Sequence, residues 1–136
     1  MKDLVKYIKE SQLEVNGFVI LKPGFGQYVD DWKRFICDTN GWDMIRCNKC
    51  KLSPEQAADL YSPHKDKDFY NDLCKYMCSD DCYCAICHKD CEDPIKEMEK
   101  IKATVRDNWG IDDMKNAMHS SDSLENVDRE SKICLK

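Results

Sequence analysis

The chain alternates short apolar runs with stretches in which apolar residues recur every three or four positions. The run from Phe18 to Leu21 is continuous and ends at Pro23 and Gly24, as expected for a buried strand that leads into a loop. Between residues 27 and 38 the apolar positions have helical spacing, and Asn40-Gly41 follows as a turn. The first forty residues therefore predict a strand and then a helix.

Later segments repeat this alternation. The sequence Ser53-Pro54-Glu55-Gln56 combines an N-cap serine, a proline at the first helical position and a glutamine in the capping-box place, so it predicts a helix from Pro54 to Leu60. The other predicted elements are a strand over 42–52, a helix from about 68 to 77, a strand over 81–88, a charged helix from 95 to about 101, and a fourth strand ending at His119.

The predicted order is β-α-β-(α-α)-β-α-β, which is a split βαβ arrangement. It predicts an α+β, ferredoxin-like fold, in which a four-stranded antiparallel sheet has helices packed on one face. A chain of 136 residues fits one domain with a real core. We expect residues 1–16 to form an N-terminal extension and residues 17–136 to form the domain.

Charge and composition narrow the possible partners. The 21 basic and 26 acidic residues give a net charge of −5, and the basic residues do not cluster, so no nucleic-acid surface is expected. The segment from Met1 to Lys9 alternates charged and apolar residues and lacks the apolar run of a signal peptide. No stretch is apolar enough to span a bilayer. We therefore expect a cytoplasmic protein without a membrane partner.

The ten cysteines could be free thiols, disulfides or metal ligands. The pairs Cys47-x-x-Cys50 and Cys84-x-x-Cys87 have zinc-ligand spacing and would suit a zinc-dependent interaction domain. Both pairs, however, lie in predicted strands, where positions i and i+3 face opposite sides of the sheet. The sequence therefore favours buried, reduced cysteines acting as small apolar side chains, and neither pair is expected to hold a metal ion.

The segment from Asn116 to Ser123, Asn-Ala-Met-His-Ser-Ser-Asp-Ser, surrounds one histidine with small polar residues. A neutral imidazole can attack an electrophile, and Asp122 with Glu125 has the capping-box pattern of a helix start, where backbone N–H groups attract phosphate. Glu130 lies about two helical turns farther on. Spacing alone leaves two interpretations open: a reactive histidine, or a surface histidine before an ordinary helix.

This segment resembles the active-site motif of nucleoside diphosphate kinases, N-x-x-H-G-S-D-S, with a glutamate where Glu130 stands. The sequence from Gly17 to Pro23 is similar to the first strand of that family and its lysine, and the resemblance extends to about Leu135. It implies transfer of phosphate from a nucleoside triphosphate to a nucleoside diphosphate through a phosphohistidine. It also implies Mg²⁺ bound through the nucleotide phosphates, and a homo-oligomer.

The resemblance implies catalytic roles for three residues. His119 would be the nucleophile, Glu130 would orient its ring, and Ser121 would support Glu130 by a hydrogen bond. It also implies five nucleotide-binding residues: Arg106 and Tyr61 near the phosphates, Phe69 stacked on the base, and Lys22 and Asn116 on ribose and phosphate.

Three departures from the family pattern affect these expectations. The family's Lys-Pro-Asp-Gly-Val is here Lys22-Pro23-Gly24-Phe25-Gly26, and Ser120 replaces the glycine after the histidine. Between residues 94 and 104 the chain lacks roughly ten residues of the family's long loop, which supplies an arginine and a threonine to the phosphates. We expect Lys100 or Lys102 to replace that phosphate contact. The alternative to an active kinase is a catalytically weak nucleotide- or protein-binding module of the same fold.

Overall fold

The fold is built on one antiparallel sheet, seen in a computed structural model that describes residues 14–135. Its strands are β1 (Gly17–Leu21), β2 (Asp43–Cys50), β3 (Cys82–His88) and β4 (Met118–Ser120), arranged in the order β2-β3-β1-β4. The predicted α+β ferredoxin-like class is confirmed. Most of the predicted N-terminal extension lies outside the described residues.

Helices connect these strands in the predicted order. They are α1 (Val29–Arg34), α2 (Pro54–Leu60), α3 (Tyr70–Met77), α4 (Pro94–Trp109) and α5 (Leu124–Cys134). A 3₁₀ turn (Gly26–Tyr28) precedes α1, a π-helical turn (Phe35–Thr39) follows it, and a second 3₁₀ turn (Ser62–His64) follows α2. No helix of residues 14–135 combines the length and the hydropathy that a bilayer-spanning segment needs.

Both faces of the sheet are covered, which differs from the predicted one-sided packing. Val19 and Leu21 of β1 face one cluster, which includes Trp32 of α1 and Met98 of α4. The alternate residues of β1 face a second cluster formed with α2, α3 and α5. The central strand β1 is buried at all five positions, so its sequence reads as a continuous apolar run.

The fourth helix is longer than the sequence analysis expected. It runs unbroken from Pro94 to Trp109, so the prediction that it ends near Ile101 was wrong. The buried residues Met98, Ile101 and Val105 continue one apolar stripe at steps of three and four, and that stripe packs on the sheet. Arg106 therefore lies on a helix rather than in a loop after one.

The capping box predicted at Ser53 is present. Ser53 Oγ accepts a hydrogen bond from the backbone N–H of Gln56 at 3.0 Å, and Gln56 Oε1 accepts one from the backbone N–H of Ser53 at 2.8 Å. The Gln56 Nε2 amide also donates to the carbonyl of Ile133 at 2.9 Å. One glutamine therefore both starts α2 and joins it to α5.

Replacing Ser53 by alanine should destabilise the protein by about 1 kcal/mol, because it leaves an N–H group at the start of α2 without its acceptor. Urea unfolding monitored by circular dichroism measures this difference. Ser79→Ala removes an exposed serine hydroxyl that only bonds the carbonyl of Tyr76, and it should cost much less. Equal stability of Ser53→Ala and the wild type would contradict the capping role.

Candidate active site

His119 sits on the edge strand β4, directly opposite Ile20 of β1. Its Nε2 atom lies 2.6 Å from Glu130 Oε1, and Ser121 Oγ donates to the same oxygen at 2.7 Å. A carboxylate only accepts hydrogen bonds, so the ring proton is on Nε2. Nδ1 has no hydrogen-bond partner among residues 14–135 and keeps its lone pair.

The surroundings of His119 favour the neutral imidazole. Its side chain is 17 % exposed and that of Glu130 is 6 % exposed. The rings of Phe18 and Tyr61 meet the imidazole edge-on, with centroids 6.4 and 5.8 Å away. Burial lowers the pKa of His119 from its usual value, and the hydrogen bond that it donates to Glu130 opposes this shift only in part. At neutral pH the ring is therefore a neutral base with one free nitrogen.

The start of α5 brings Glu130 to the histidine. Ser123 caps the helix by accepting the backbone N–H of Asn126 at 3.1 Å, and Asp122 Oδ1 accepts from the Asn126 side chain at 2.6 Å. Glu130 lies about two turns into the helix and points back to β4. The short connection after β4 thus fixes the distance between His119 and the Glu130 carboxylate.

A cavity of about 590 Å³ opens beside His119 and carries several cationic side chains. This volume suits a small-molecule ligand. Lys22, Lys102 and Arg106 line it, and their charges repel one another. Arg106 Nε donates to the carbonyl of Met118 at 3.1 Å, which fixes the guanidinium beside β4. Its two terminal nitrogens have no hydrogen-bond partner within the described part of the chain.

Burial and mutual repulsion disfavour the charged forms of the cationic side chains that line the cavity. Burial, with the charges of Arg106 and Lys102, lowers the pKa of Lys22 from 10.5 to about 7. Burial and Arg106 likewise lower the pKa of Lys102, and burial lowers that of Arg106. A polyanionic ligand would reverse each of these effects, so the cavity is arranged for phosphate-like charge.

Three residues that line the cavity have a buried polar atom without a protein partner. Tyr61 Oη, Asn116 Oδ1 and Ser120 Oγ form no hydrogen bond among residues 14–135, although such atoms are usually paired. Asn116 precedes Ala117, whose φ of 80° is unusual for a residue with a side chain. Ala117 also accepts the backbone N–H of Lys22 at 2.8 Å. The backbone strain at Ala117 therefore lies between two predicted nucleotide-binding residues.

An aromatic side chain stands at the mouth of the cavity. Phe69 is 46 % exposed, and the ring of His64 lies 5.9 Å from it, centroid to centroid. An exposed phenylalanine at a cavity edge offers a flat apolar face for stacking. Core packing, the ordinary role of phenylalanine, does not explain this position.

The structure brings the eight residues that the sequence analysis assigned to the site together. Seven line the cavity and Ser121 lies behind Glu130: Lys22, Tyr61, Phe69, Arg106, Asn116, His119 and Glu130. Asn126 and Arg129 also line it and were not predicted. Their spacing along α5 places them on the face that carries Glu130, which is the signal that could have found them. Of the two expected surrogate lysines, Lys102 faces the cavity and Lys100 is exposed elsewhere on α4.

Comparison with known proteins gives a consistent family. The family model described as nucleoside diphosphate kinase matches residues 16–136. A nucleoside diphosphate kinase from Fervidobacterium nodosum is 33 % identical over 127 residues, which cover 85 % of each chain. The halophilic nucleoside diphosphate kinase from Halobacterium salinarum, solved in complex with CDP, has a TM-score of 0.75 at 23 % identity and covers 90 % of this chain and 87 % of its own. The Aquifex aeolicus enzyme has a TM-score of 0.68 at 24 % identity and covers 86 % and 92 %.

Lys22→Met should stabilise the ligand-free protein, on the order of 1–4 kcal/mol, because it keeps the aliphatic stem and removes a poorly compensated buried cation. The folded pKa of Lys22 is depressed, so the wild type gains stability as pH rises from about 7 towards 10.5. The difference between variant and wild type should therefore be largest near pH 7 and smaller near pH 10. Thermal unfolding at the two pH values measures it.

Lys100→Met, at an exposed position of α4, is the matched control and should change stability little at either pH. A Lys22→Met protein that melts below the wild type near pH 7 would contradict the proposed charge strain.

Proposed function

The chain belongs to the nucleoside diphosphate kinase family, and on that premise we propose that it transfers the γ-phosphate of a nucleoside triphosphate to a nucleoside diphosphate through a phosphohistidine on His119. The observation that carries this proposal is the Nε2–H bond to Glu130 at 2.6 Å, which leaves Nδ1 with a free lone pair. Family members are phosphotransferases, and the resemblance inferred from the motif around His119 is confirmed.

In the proposed first step, the Nδ1 lone pair attacks the γ-phosphorus. The bond between that phosphorus and the bridging oxygen breaks, and the nucleoside diphosphate leaves with the electron pair. The ring then carries a phosphoryl group on Nδ1 and its original proton on Nε2, where Glu130 stabilises the positive charge that develops. In the second step the terminal phosphate oxygen of an acceptor diphosphate attacks the same phosphorus, and the imidazole is the leaving group.

The nucleotide would lie with its phosphates at the inner end of the cavity and its base at the mouth. Arg106, Lys22 and Lys102 supply positive charge to the phosphates, and the orphaned atoms of Tyr61 and Asn116 supply a donor and an acceptor. Phe69 would stack on the base. Stacking on a base face discriminates little between bases, so we propose broad nucleotide use.

Mg²⁺ fits this site as a partner of the phosphates. Asp113 and Asp122 are exposed carboxylates that line the cavity, and hard oxygen donors are what Mg²⁺ prefers. When bound, the ion would neutralise part of the phosphate charge. Asp113 and Asp122 are therefore the residues that would hold the ion.

Several expectations from the sequence remain part of the proposal. We propose a homo-oligomer in the cytoplasm, with residues 17–136 as the catalytic domain and residues 1–16 as an extension. The alternative, a catalytically weak binding module, was motivated by the missing loop residues. Lys102, beside Arg106, argues against that alternative, because it adds a cation to the cavity from α4, the helix that spans the shortened segment.

Transfer of labelled γ-phosphate from ATP to the protein tests the function directly. The wild type should acquire a label that is stable in base and labile in acid, and should pass it to added nucleoside diphosphate. His119→Ala should lose both, because no other ring nitrogen carries this hydrogen-bond arrangement. His64→Ala, at the exposed histidine of the cavity mouth, is the control and should still be labelled. Labelling of folded His119→Ala at the wild-type level would sink the assignment.

Lys102→Ala should lower kcat/KM for nucleoside triphosphate by roughly tenfold or more, because it removes a cation that faces the phosphates. Lys100→Ala, two residues away and exposed, should stay within about twofold of the wild type. Steady-state kinetics of the two variants decide between them. Equal effects in both would mean that Lys102 acts only through general charge.

A further inference from the structure

Away from the cavity, three cysteine sulfurs converge on one point beneath the sheet. Cys50 Sγ lies 3.4 Å from Cys84 Sγ and 3.9 Å from Cys82 Sγ, and the last two sulfurs are 3.8 Å apart. Cys82 and Cys84 are fully buried and Cys50 is half-buried. None of the ten cysteines of the chain forms a disulfide. The proposed phosphoryl transfer uses none of them.

These separations match the edges of a metal–thiolate polyhedron. Sulfur ligands lie about 2.3 Å from Zn²⁺ in a tetrahedral site, which puts neighbouring sulfurs about 3.8 Å apart. The three observed distances bracket that value. Two packed thiols reach similar separations by contact alone, but here all three pairs of one triangle do so. The three sulfurs are therefore close enough together to share one ion.

Strand register brings the three sulfurs to one face. Cys50 is the direct cross-strand partner of Cys82, and Cys84 lies two residues along β3 on the same side. The zinc-like pairs noted in the sequence are not the ones that meet. Cys47 and Cys87 face the opposite cluster of the core, as expected for positions i and i+3 of a strand.

A fourth cysteine lies in the same apolar cluster as the triangle. It is Cys134, the last residue of α5, and its side chain is buried. Cysteine ligates metals as the thiolate, and the charge of a bound ion favours that form.

We propose that Cys50, Cys82 and Cys84 bind one Zn²⁺ ion, with Cys134 as the fourth ligand. Soft thiolate ligands select such ions over Mg²⁺, so this site and the nucleotide site would not compete for the same metal. Zinc would also offset the negative charge of thiolates buried in an apolar cluster. The ion would join β2, β3 and the end of α5, which carries Glu130 one turn earlier.

The test uses the purified full-length chain, reduced with a phosphine and handled without oxygen. Co²⁺ serves as the spectroscopic probe. One equivalent should produce sulfur-to-cobalt charge-transfer absorption and the visible bands of a tetrahedral ion, and Zn²⁺ should abolish both. Free zinc about a hundredfold above its Kd should raise the melting temperature by roughly 5–10 °C.

Cys50→Ser should weaken zinc binding by at least about tenfold, because it removes a ligand. Cys47→Ser is the matched control: it lies on the same strand and is also half-buried, but faces the other side, so it should bind like the wild type. Binding that is equal in Cys50→Ser and the wild type would overturn the proposal. Unchanged affinity in Cys134→Ser would remove Cys134 from the site.

A measurement on the wild type covers the case in which Cys50→Ser fails to fold. Alkylation mapped by mass spectrometry should find Cys50 reactive without zinc and protected with it, while Cys47 reacts equally in both samples. If zinc leaves Cys50 as reactive as before, or if the reduced protein binds no cobalt, the three cysteines are packed thiols only and the proposal is wrong.

Discussion

The buried carboxylate of Glu130 is the constraint that joins the sheet to the last helix. Burying a carboxylate costs several kcal/mol unless donors replace its water. His119 and Ser121 both donate to one oxygen, and Arg129 lies 3.5 Å from the other. Because these two donors flank the end of β4, α5 can satisfy Glu130 only by starting directly after the strand. The Ser123 cap at that position is therefore part of how the His119 ring is oriented.

The cavity concentrates positive charge that the nearby acids offset only in part. Lys102 and Arg106 lie one turn apart on α4, a like-charge spacing that destabilises a helix by a few tenths of a kcal/mol. Lys22 adds a third cation from the end of β1, and the buried acid of the site, Glu130, is committed to His119 and Ser121. Such an arrangement lowers the stability of the ligand-free protein. The negative charge of a bound phosphate would relieve the repulsion among the cations.

Sequence patterns predicted those elements whose local signals agree with their packing. The capping box at Ser53 and Gln56 predicted both ends of α2 correctly, because side-chain hydrogen bonds fix the first turn of that helix. The end of α4 was missed because β-branched Thr104 and Val105 have low helix propensity, whereas the stripe of Met98, Ile101 and Val105 buried against the sheet outweighs that preference. The packing of helices on both faces of the sheet could not be predicted either, because the sequence of a short apolar strand does not indicate which helices cover each face.

The site residues were predictable from the motif, but the thiol cluster was not, because it depends on one β-bulge. Between Met44 and Arg46 the register of β2 against β3 shifts by one residue. Without that shift Cys50 would pair with Asp81, and every later side chain of β2 would face the other side. The bulge thus turns Cys50 towards Cys82 and Cys84. The sheet face that carries these three cysteines also packs against α5. One irregular residue on β2 therefore places the thiols next to the helix that orients His119.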